Sequence, residues 1–281
     1  MGKLFIVATP IGNLEDITLR GLRALREADF IIAEDTRHTL KLLNHYGVKK
    51  PMLSCHEHNE REHCDKITGM IASGLSGALV SDAGTPLISD PGGLLVGACR
   101  GLGIEVVACP GACACVAALA VSGISSARFC FEGFLPAKKK DRLEALAALK
   151  RETRTIVLYE APHRLNALLS DIRAVLGNRR VSVVRELTKL HEQIMTDSID
   201  AIMEHYSLNE PRGEFTVVIE GEAEKNLAAE KLAPYTGMDI REHVETHIRA
   251  GLSETEAMKR AARERGVSKS EIYKIYKTGK Q

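Results

Sequence analysis

The chain has 281 residues, 44% of them hydrophobic and 27% charged, with a formal net charge of +1. That balance excludes a disordered or polycationic protein and leaves room for two domains and a small appendix. No apolar run reaches the roughly 18 residues of a membrane span, and with no Trp and only 4% aromatics the core must be aliphatic. In chain order, "MGKLFIVATP" runs into "IGNLEDIT" without a small-residue cleavage pattern and reads as a strand, not a signal peptide. "DITLRGLRALREA" follows as a helix, "DFIIAEDT" as a strand, and "HTLKLLNHYG" as a helix ended by Gly47. "PMLSCHEH", "GALVSDAG" and "IEVVACPG" are further strands, separated by the helical "CDKITGMIASG" and "GGLLVGACRGLG". Apolar strands alternating with helices predict a parallel sheet covered on both faces over 1–116.

The pattern then changes. After an Ala-rich helix, four strands ("RFCFEGFLP", "TRTIVLYEAP", "RRVSVVREL", "GEFTVVIEGE") and about three helices predict a second, α+β domain over 117–223, with "HEQIMTDSIDAIMEHY" as an unassigned segment. A linker is expected at 224–238 and a helical domain at 239–281. In the latter, Ser253 with Glu256 and Ser268 with Glu271 are spaced to cap two helices joined by a Gly-Val-Ser turn, a helix-turn-helix-like arrangement. From residue 257 onward there are eight Lys or Arg against two Glu. Such asymmetry fits an acidic partner, nucleic acid first, or a plain helical hairpin with a solvated basic face.

The seven cysteines include no C-x-x-C pair and read as free thiols of a reducing cytoplasm. Cys55, His56, His58, His63 and Cys64 fit either a metal site or a solvated helix start, and no metal is expected. Four loops follow strands of the first half: 9–18, 34–39, 81–93 and 109–114. In a parallel sheet such loops gather on one edge, where ligands bind. Pro10, Gly12, Gly84, Gly92, Gly93 and Gly111 allow close backbone approach there. The chain has no G-x-G-x-x-G after the first strand, no P-loop, no G-x-S-x-G and no H-E-x-x-H.

"VATPIGNLEDIT", "AEDTRHT", "LVSDAGTPLISDPG", "CPGACA", "FEGFLP", "YEAPHRL" and "RELTK" together resemble the ribosomal RNA small subunit methyltransferase I family, of the tetrapyrrole-methylase-like superfamily. The resemblance implies two α/β domains of the class III methyltransferase type, with S-adenosylmethionine (SAM) between them, and a homodimer. It implies methyl transfer to a cytidine ribose 2′-hydroxyl in the decoding region of 16S rRNA, on the assembled small subunit, with no DNA or membrane partner. Pro10, Gly12, Asp82, Gly84 and Thr85 would lie on SAM-binding loops. Ala112 and Cys113 fall where relatives often carry Ser, and Ala161-Pro162 where other members carry Ser-Thr.

A ribose hydroxyl is a poor nucleophile and needs a base or a nearby cation. Three polar clusters qualify: Glu34, Asp35, Arg37 and His38; Glu160, His163 and Arg164; and Arg185, Glu186 and Lys189. Helix-terminus ion pairing explains the last two equally. The expected roles are ribose orientation by Asp35 and Arg37, and deprotonation by Glu160, or by Glu186 with Lys189. RNA contacts are expected from His38, Lys138, Lys139, Lys140, Arg142, His163, Arg164, Lys259, Arg260, Arg263, Lys269 and Lys274. Asp82 and Thr85 should face the ligand, whereas Asp90-Pro91-Gly92 should be the turn and N-cap of the next helix. Two rivals stay open: a precorrin-type tetrapyrrole methyltransferase, which would need no basic tail, and a non-catalytic RNA-binding or assembly protein.

Overall fold

Short aliphatic runs set the architecture of the computed structural model, which describes residues 1–56, 59–223, 235 and 237–278. Its packing gives two compact units: Met1–Leu149 with Arg154–Glu220, and Lys150–Thr153 with the described residues of 221–281. The first unit begins with strands β1 (Lys3–Val7), β2 (Phe30–Ala33), β3 (Met52–Ser54), β4 (Gly77–Val80) and β5 (Glu105–Cys109). They form an all-parallel sheet in the order β3-β2-β4-β1-β5. Helices α1 (Leu19–Glu27), α2 (Thr36–His45), α3 (Glu60–Ala72) and α4 (Gly93–Gly101) make the crossovers. Every residue of β2 and β4 is buried, as a strand covered on both faces requires. Two aliphatic clusters result, one around Leu4, Ile32, Leu79 and Leu95 and the other around Val7, Leu25, Ile31 and Val80.

The second sheet uses β6 (Phe129–Phe134), β7 (Thr155–Glu160), β8 (Arg180–Arg185), β9 (Gln193–Ser198) and β10 (Phe215–Ile219). Its order is β6-β7-β10-β8-β9; β6 and β7 are parallel and the other pairs antiparallel. Helices α6 (Lys139–Ala148), α7 (Leu165–Leu176) and α8 (Ile199–Leu208) contribute Leu146, Leu168, Ile172 and Ile202 to the core on one face. Helix α5 (Ala114–Val121) packs Cys115, Ala118 and Leu119 with Val157, Val184 and Val218. The sheet thus has five strands where the sequence predicts four. The extra one, β9, is an edge strand pairing with β8 alone. Its sequence, QIMTDS, lacks the alternation of a half-buried strand, and Ser198 at its end caps α8 through the Ala201 N–H.

In the second unit, α9 (Ile240–Arg249), α10 (Glu254–Arg265) and α11 (Lys269–Thr278) surround Val244, Ala257, Met258, Ala261 and Ile272. Ser253 and Glu256 form the reciprocal capping box, and Gly266 ends α10 in the left-handed conformation at φ +64°. Between the helices, Arg265 Nε–H donates to His243 Nδ1 (2.9 Å). That contact places the imidazole proton on Nε2, which donates to Glu264 (2.9 Å), and His247 Nε2 reaches the same oxygen (2.7 Å). These are the only His, Cys, Asp and Glu side chains clustered as metal ligands could be among the described residues, but the Arg265 contact commits His243 to donating from Nε2. The linker expected at 224–238 lies mostly outside the described residues, as do His58 and Lys280.

All seven cysteines are free. Cys55, Cys64 and Cys99 share one core cluster, and burial pushes the thiols of Cys55, Cys99 and Cys115 up to about 11. His63 bonds the Ser54 carbonyl through Nδ1.

Candidate active site

The C-terminal ends of β1, β2, β4 and β5 lie at one edge of the parallel sheet, and hydrogen bonds stitch their loops together. Thr9 and Gly84 exchange both backbone bonds (2.8 and 3.1 Å). Gly84 sits at φ +93°, and its missing Cβ would come within 3.3 Å of Ile11, so this crossing needs glycine. Asp82 Oδ1 accepts the Asp35 N–H (3.2 Å), and the Thr85 hydroxyl donates to the Ala112 carbonyl (2.9 Å). These loops form one wall of a cleft of about 430 Å³. The facing wall comes from the mixed sheet: Phe134, Tyr159, Glu160, Val184 and Glu214–Thr216. The Tyr159 hydroxyl accepts the Cys115 N–H (2.9 Å), tying the start of α5 to this wall.

The charge in the cleft is one-sided. Glu34, Asp82, Asp90, Glu160 and Glu214 line it, and among the described residues no Lys, Arg or His does. Glu160 is 2% exposed. Its Oε1 accepts from the Ala161 N–H (2.8 Å) and pairs with Arg164 (3.1 Å), while Oε2 has no partner. Burial raises its pKa against the pull of Ala161 and Arg164. Asp90 is pushed up to about 6, first by burial and then by the charge of Glu34, with the Ser81 hydroxyl opposing.

Asp90-Pro91-Gly92 forms the bend and N-cap expected of it, but the cap is Gly92 and the Asp90 carboxyl takes no part in it. The N-cap of α4 is Gly92, at φ +120°, with no side-chain cap. The chain twists through positive φ at Leu87 (+74°) and Ser89 (+66°), which turns the Asp90 carboxyl into the cleft. Non-glycine residues in this region are strained, and such strain concentrates at functional sites.

The other expected site residues fall into three groups. Asp82, Gly84, Thr85, Cys113 and Glu160 line the cleft. Ala112 supports it through its carbonyl. Pro10 is buried behind it. Gly12 serves a different purpose: a Cβ there would lie 2.4 Å from Lys189 Cγ, and the neighbouring Asn13 N–H donates to Thr188 Oγ1 (3.2 Å). This clasp joins the loop after β1 to the loop after β8. Within it Lys189 is taken up by Glu186 (3.0 Å) and Glu214 (2.9 Å). Burial would raise the Glu186 pKa, but the Glu214 N–H and Lys189 hold it below the usual value.

At the rim, Asp35 caps α2 through the Arg37 N–H (2.8 Å), and the Arg37 fork grips its carboxylate (3.1 and 2.8 Å). That grip holds Asp35 well below the usual carboxylate range. Arg37, His38, His163 and Lys138–Lys140 are exposed, as are Lys259, Arg260, Arg263, Lys269 and Lys274 in the second unit. Arg260 reaches Glu264 (3.0 Å). Arg164 is half-buried against Glu160 and the Leu135 carbonyl. Arg142 cannot meet RNA as expected: its side chain is 6% exposed and pairs with Asp171 at 2.7 Å, buried between α6 and α7. The sequence reading missed Tyr159, Glu214 and the cleft role of Asp90. Tyr159 adjoins the flagged Glu160, whereas nothing in "GEFTVV" marks Glu214.

The family model for "Tetrapyrrole (Corrin/Porphyrin) Methylases" matches residues 3–202. The chain is 43% identical to "Ribosomal RNA small subunit methyltransferase I" of Synechocystis, over 98% of this chain and 97% of that one. It is 44% identical to the Bacillus subtilis protein of that name, over 98% and 94%. The chain belongs to the ribosomal RNA small subunit methyltransferase I family. Solved structures share its fold: the methyltransferase CobJ (TM-score 0.61, 18% identity, 79% of this chain and 95% of that one) and uroporphyrin-III-C-methyltransferase from Thermus thermophilus (0.55, 19%, 78% and 94%). SAM is the methyl donor of the family, and the cleft fits it on its own chemistry. A ligand carrying a sulfonium and an ammonium suits a lining of carboxylates without cations, and Ile11, Ile88, Phe134 and Leu187 offer apolar walls to its adenine.

Proposed function

We propose that this protein, acting as a homodimer on the assembled small ribosomal subunit, methylates the ribose 2′-hydroxyl of a cytidine in the decoding region of 16S rRNA. The observation that carries the reading is near end-to-end identity of 43–44% with relatives named as small subunit rRNA methyltransferases. The charge distribution supports it. Phosphates are repelled by an acid-lined cleft and attracted by the exposed Arg37, Lys138–Lys140, Lys259, Arg260 and Arg263. RNA therefore stays on the outer surface and presents one ribose at the mouth.

SAM, when bound, supplies a methyl group already activated on a sulfonium. Asp82, the backbone at Gly84 and the Ala112–Cys113 turn would hold it, with Asp90 and Glu34 beside its cationic groups. Glu160 Oε2 would take up the proton of the ribose hydroxyl. Its other oxygen is fixed by Ala161 and Arg164, so the basic lone pair keeps one direction. Glu186 and Lys189 hold the two walls together rather than taking the proton. Arg37, anchored on Asp35, orients the substrate backbone at the rim.

The test is transfer of labelled methyl from SAM to small subunits lacking this modification, followed by nucleoside analysis. Label in 2′-O-methylcytidine is expected. Label in a base, or only in an added porphyrinoid, overturns the reading.

A further inference from the structure

A second cavity of about 430 Å³ lies on the other face of the mixed sheet, where Arg185, Gln193, His205, Tyr206 and Arg212 share the wall with the acidic Glu210. Strand alternation explains its place. Val184 faces the acid-lined cleft, so Arg185 projects from the opposite face, in line with the core residues Val181 and Val183. Gln193 is its direct partner across the β8–β9 ladder. A position continuous with an aliphatic core carries a guanidinium, and the sheet ends there in a polar hollow against the C-terminus of α8.

The charges in this hollow are unequal. The Arg212 guanidinium is held by Glu210 (3.2 and 2.8 Å). Arg185 spends Nε on the Arg212 carbonyl (2.7 Å), and no carboxylate pairs with it among the described residues. The Tyr206 ring is 4% exposed and its hydroxyl has no partner. Burial raises the phenol's pKa and the Arg185 charge opposes that rise, so the two groups are neighbours. The cavity therefore holds one surplus positive charge among amide, imidazole and guanidinium donors, which suits a singly charged, oxygen-rich anion. Residues 212–216 separate it from the acid-lined cleft: Arg212 walls one, Glu214 the other. Gly213 between them turns at φ +85°, and two residues of chain span at most about 7 Å.

We propose that this cavity binds a backbone phosphodiester of the substrate RNA, close in sequence to the nucleotide presented at the cleft. The site rests on the RNA reading above, but its test is of binding, not of methyl transfer. Affinity of the full-length protein for small ribosomal subunits lacking the modification is measured by co-sedimentation across a salt series, with SAM affinity measured in parallel. For Arg185→Met, subunit affinity should fall about tenfold and the log–log salt slope should shrink by about one, with SAM affinity unchanged. Gln193→Glu sets a carboxylate opposite Arg185 and should reproduce the loss without emptying the cavity, which covers a poorly folding Arg185→Met. Unchanged subunit affinity and slope in a variant that still binds SAM overturns the proposal, as does a loss of methyl transfer without a loss of subunit affinity. Failure of the methylation reading would show instead as intact, Arg185-dependent RNA binding with no label in cytidine.

Discussion

Glu160 ends β7 and Glu186 follows β8, the two strands that flank β10 in the mixed sheet, and each is followed within one turn by a base. Glu160 meets Arg164 four residues on, and Glu186 meets Lys189 three residues on. Their surroundings separate them. Glu186 gives its Oε1 to Lys189 and the Glu214 N–H, in a clasp with φ +50° at Glu186 and +67° at Thr188. Glu160, a residue of the cleft wall, keeps Oε2 buried and unpaired. An acid-then-base spacing in sequence thus announces an ion pair without saying whether a lone pair is left over for chemistry.

Replacing each acid by its amide sharpens that contrast. Glu160→Gln should lower kcat by about 10²–10⁴-fold, the range for loss of a general base, with little change in SAM affinity by calorimetry. Turnover near wild type would move the proton acceptor elsewhere. Next in size is Arg142→Met, which strands Asp171 without its partner. Breaking a buried pair costs about 3–5 kcal/mol, readable in urea unfolding, and the salt slope of RNA binding should stay as it was. A reduced slope would return Arg142 to the RNA surface. Glu186→Gln should cost about 1–3 kcal/mol of stability through the weakened clasp and leave turnover close to normal; a collapse of kcat without destabilisation would reverse the roles of the two glutamates.

The smallest effect concerns Asp90. Its folded pKa of about 6 lies above the ordinary carboxylate value of 3.8, so the folded state binds the proton more tightly. Stability then falls as pH rises from about 4 to about 6 and stays penalised above that. Asp90→Asn removes the penalty. Its melting temperature should exceed that of the wild type at pH 7.5 and match it near pH 4. A lower melting temperature at pH 7.5 would restore the structural role that the sequence suggests.

Much of the parallel sheet was legible because a strand buried on both faces must be apolar throughout, as FIIA and GALV are. The four-loop edge followed from that. Arg142 was misplaced because it was read as part of a basic run, whereas its helical phase is the better guide: it lies four residues before Leu146, whose side chain is fully buried. Asp90-Pro91-Gly92 was legible as a turn and cap, with Gly92 as the N-cap, but nothing in D-P-G shows that Asp90 also lines the cleft. Edge strand β9 carries too little pattern to be seen. The clasp between Gly12 and Lys189 joins residues far apart in sequence, and nothing local at either end announces it.

The cysteines have a practical consequence. All seven lie between residues 55 and 130, five of them buried, and deprotonation is suppressed in the interior. At the five buried positions a thiol-specific alkylating reagent would thus wait for the chain to open, whereas Cys113, on the cleft wall, is reached without it. Pulsed labelling resolved by mass spectrometry would clock excursions of the first unit, while the helical second unit, which holds no cysteine, stays silent. The protein carries its own set of intrinsic reporters for local breathing, with no engineered label required.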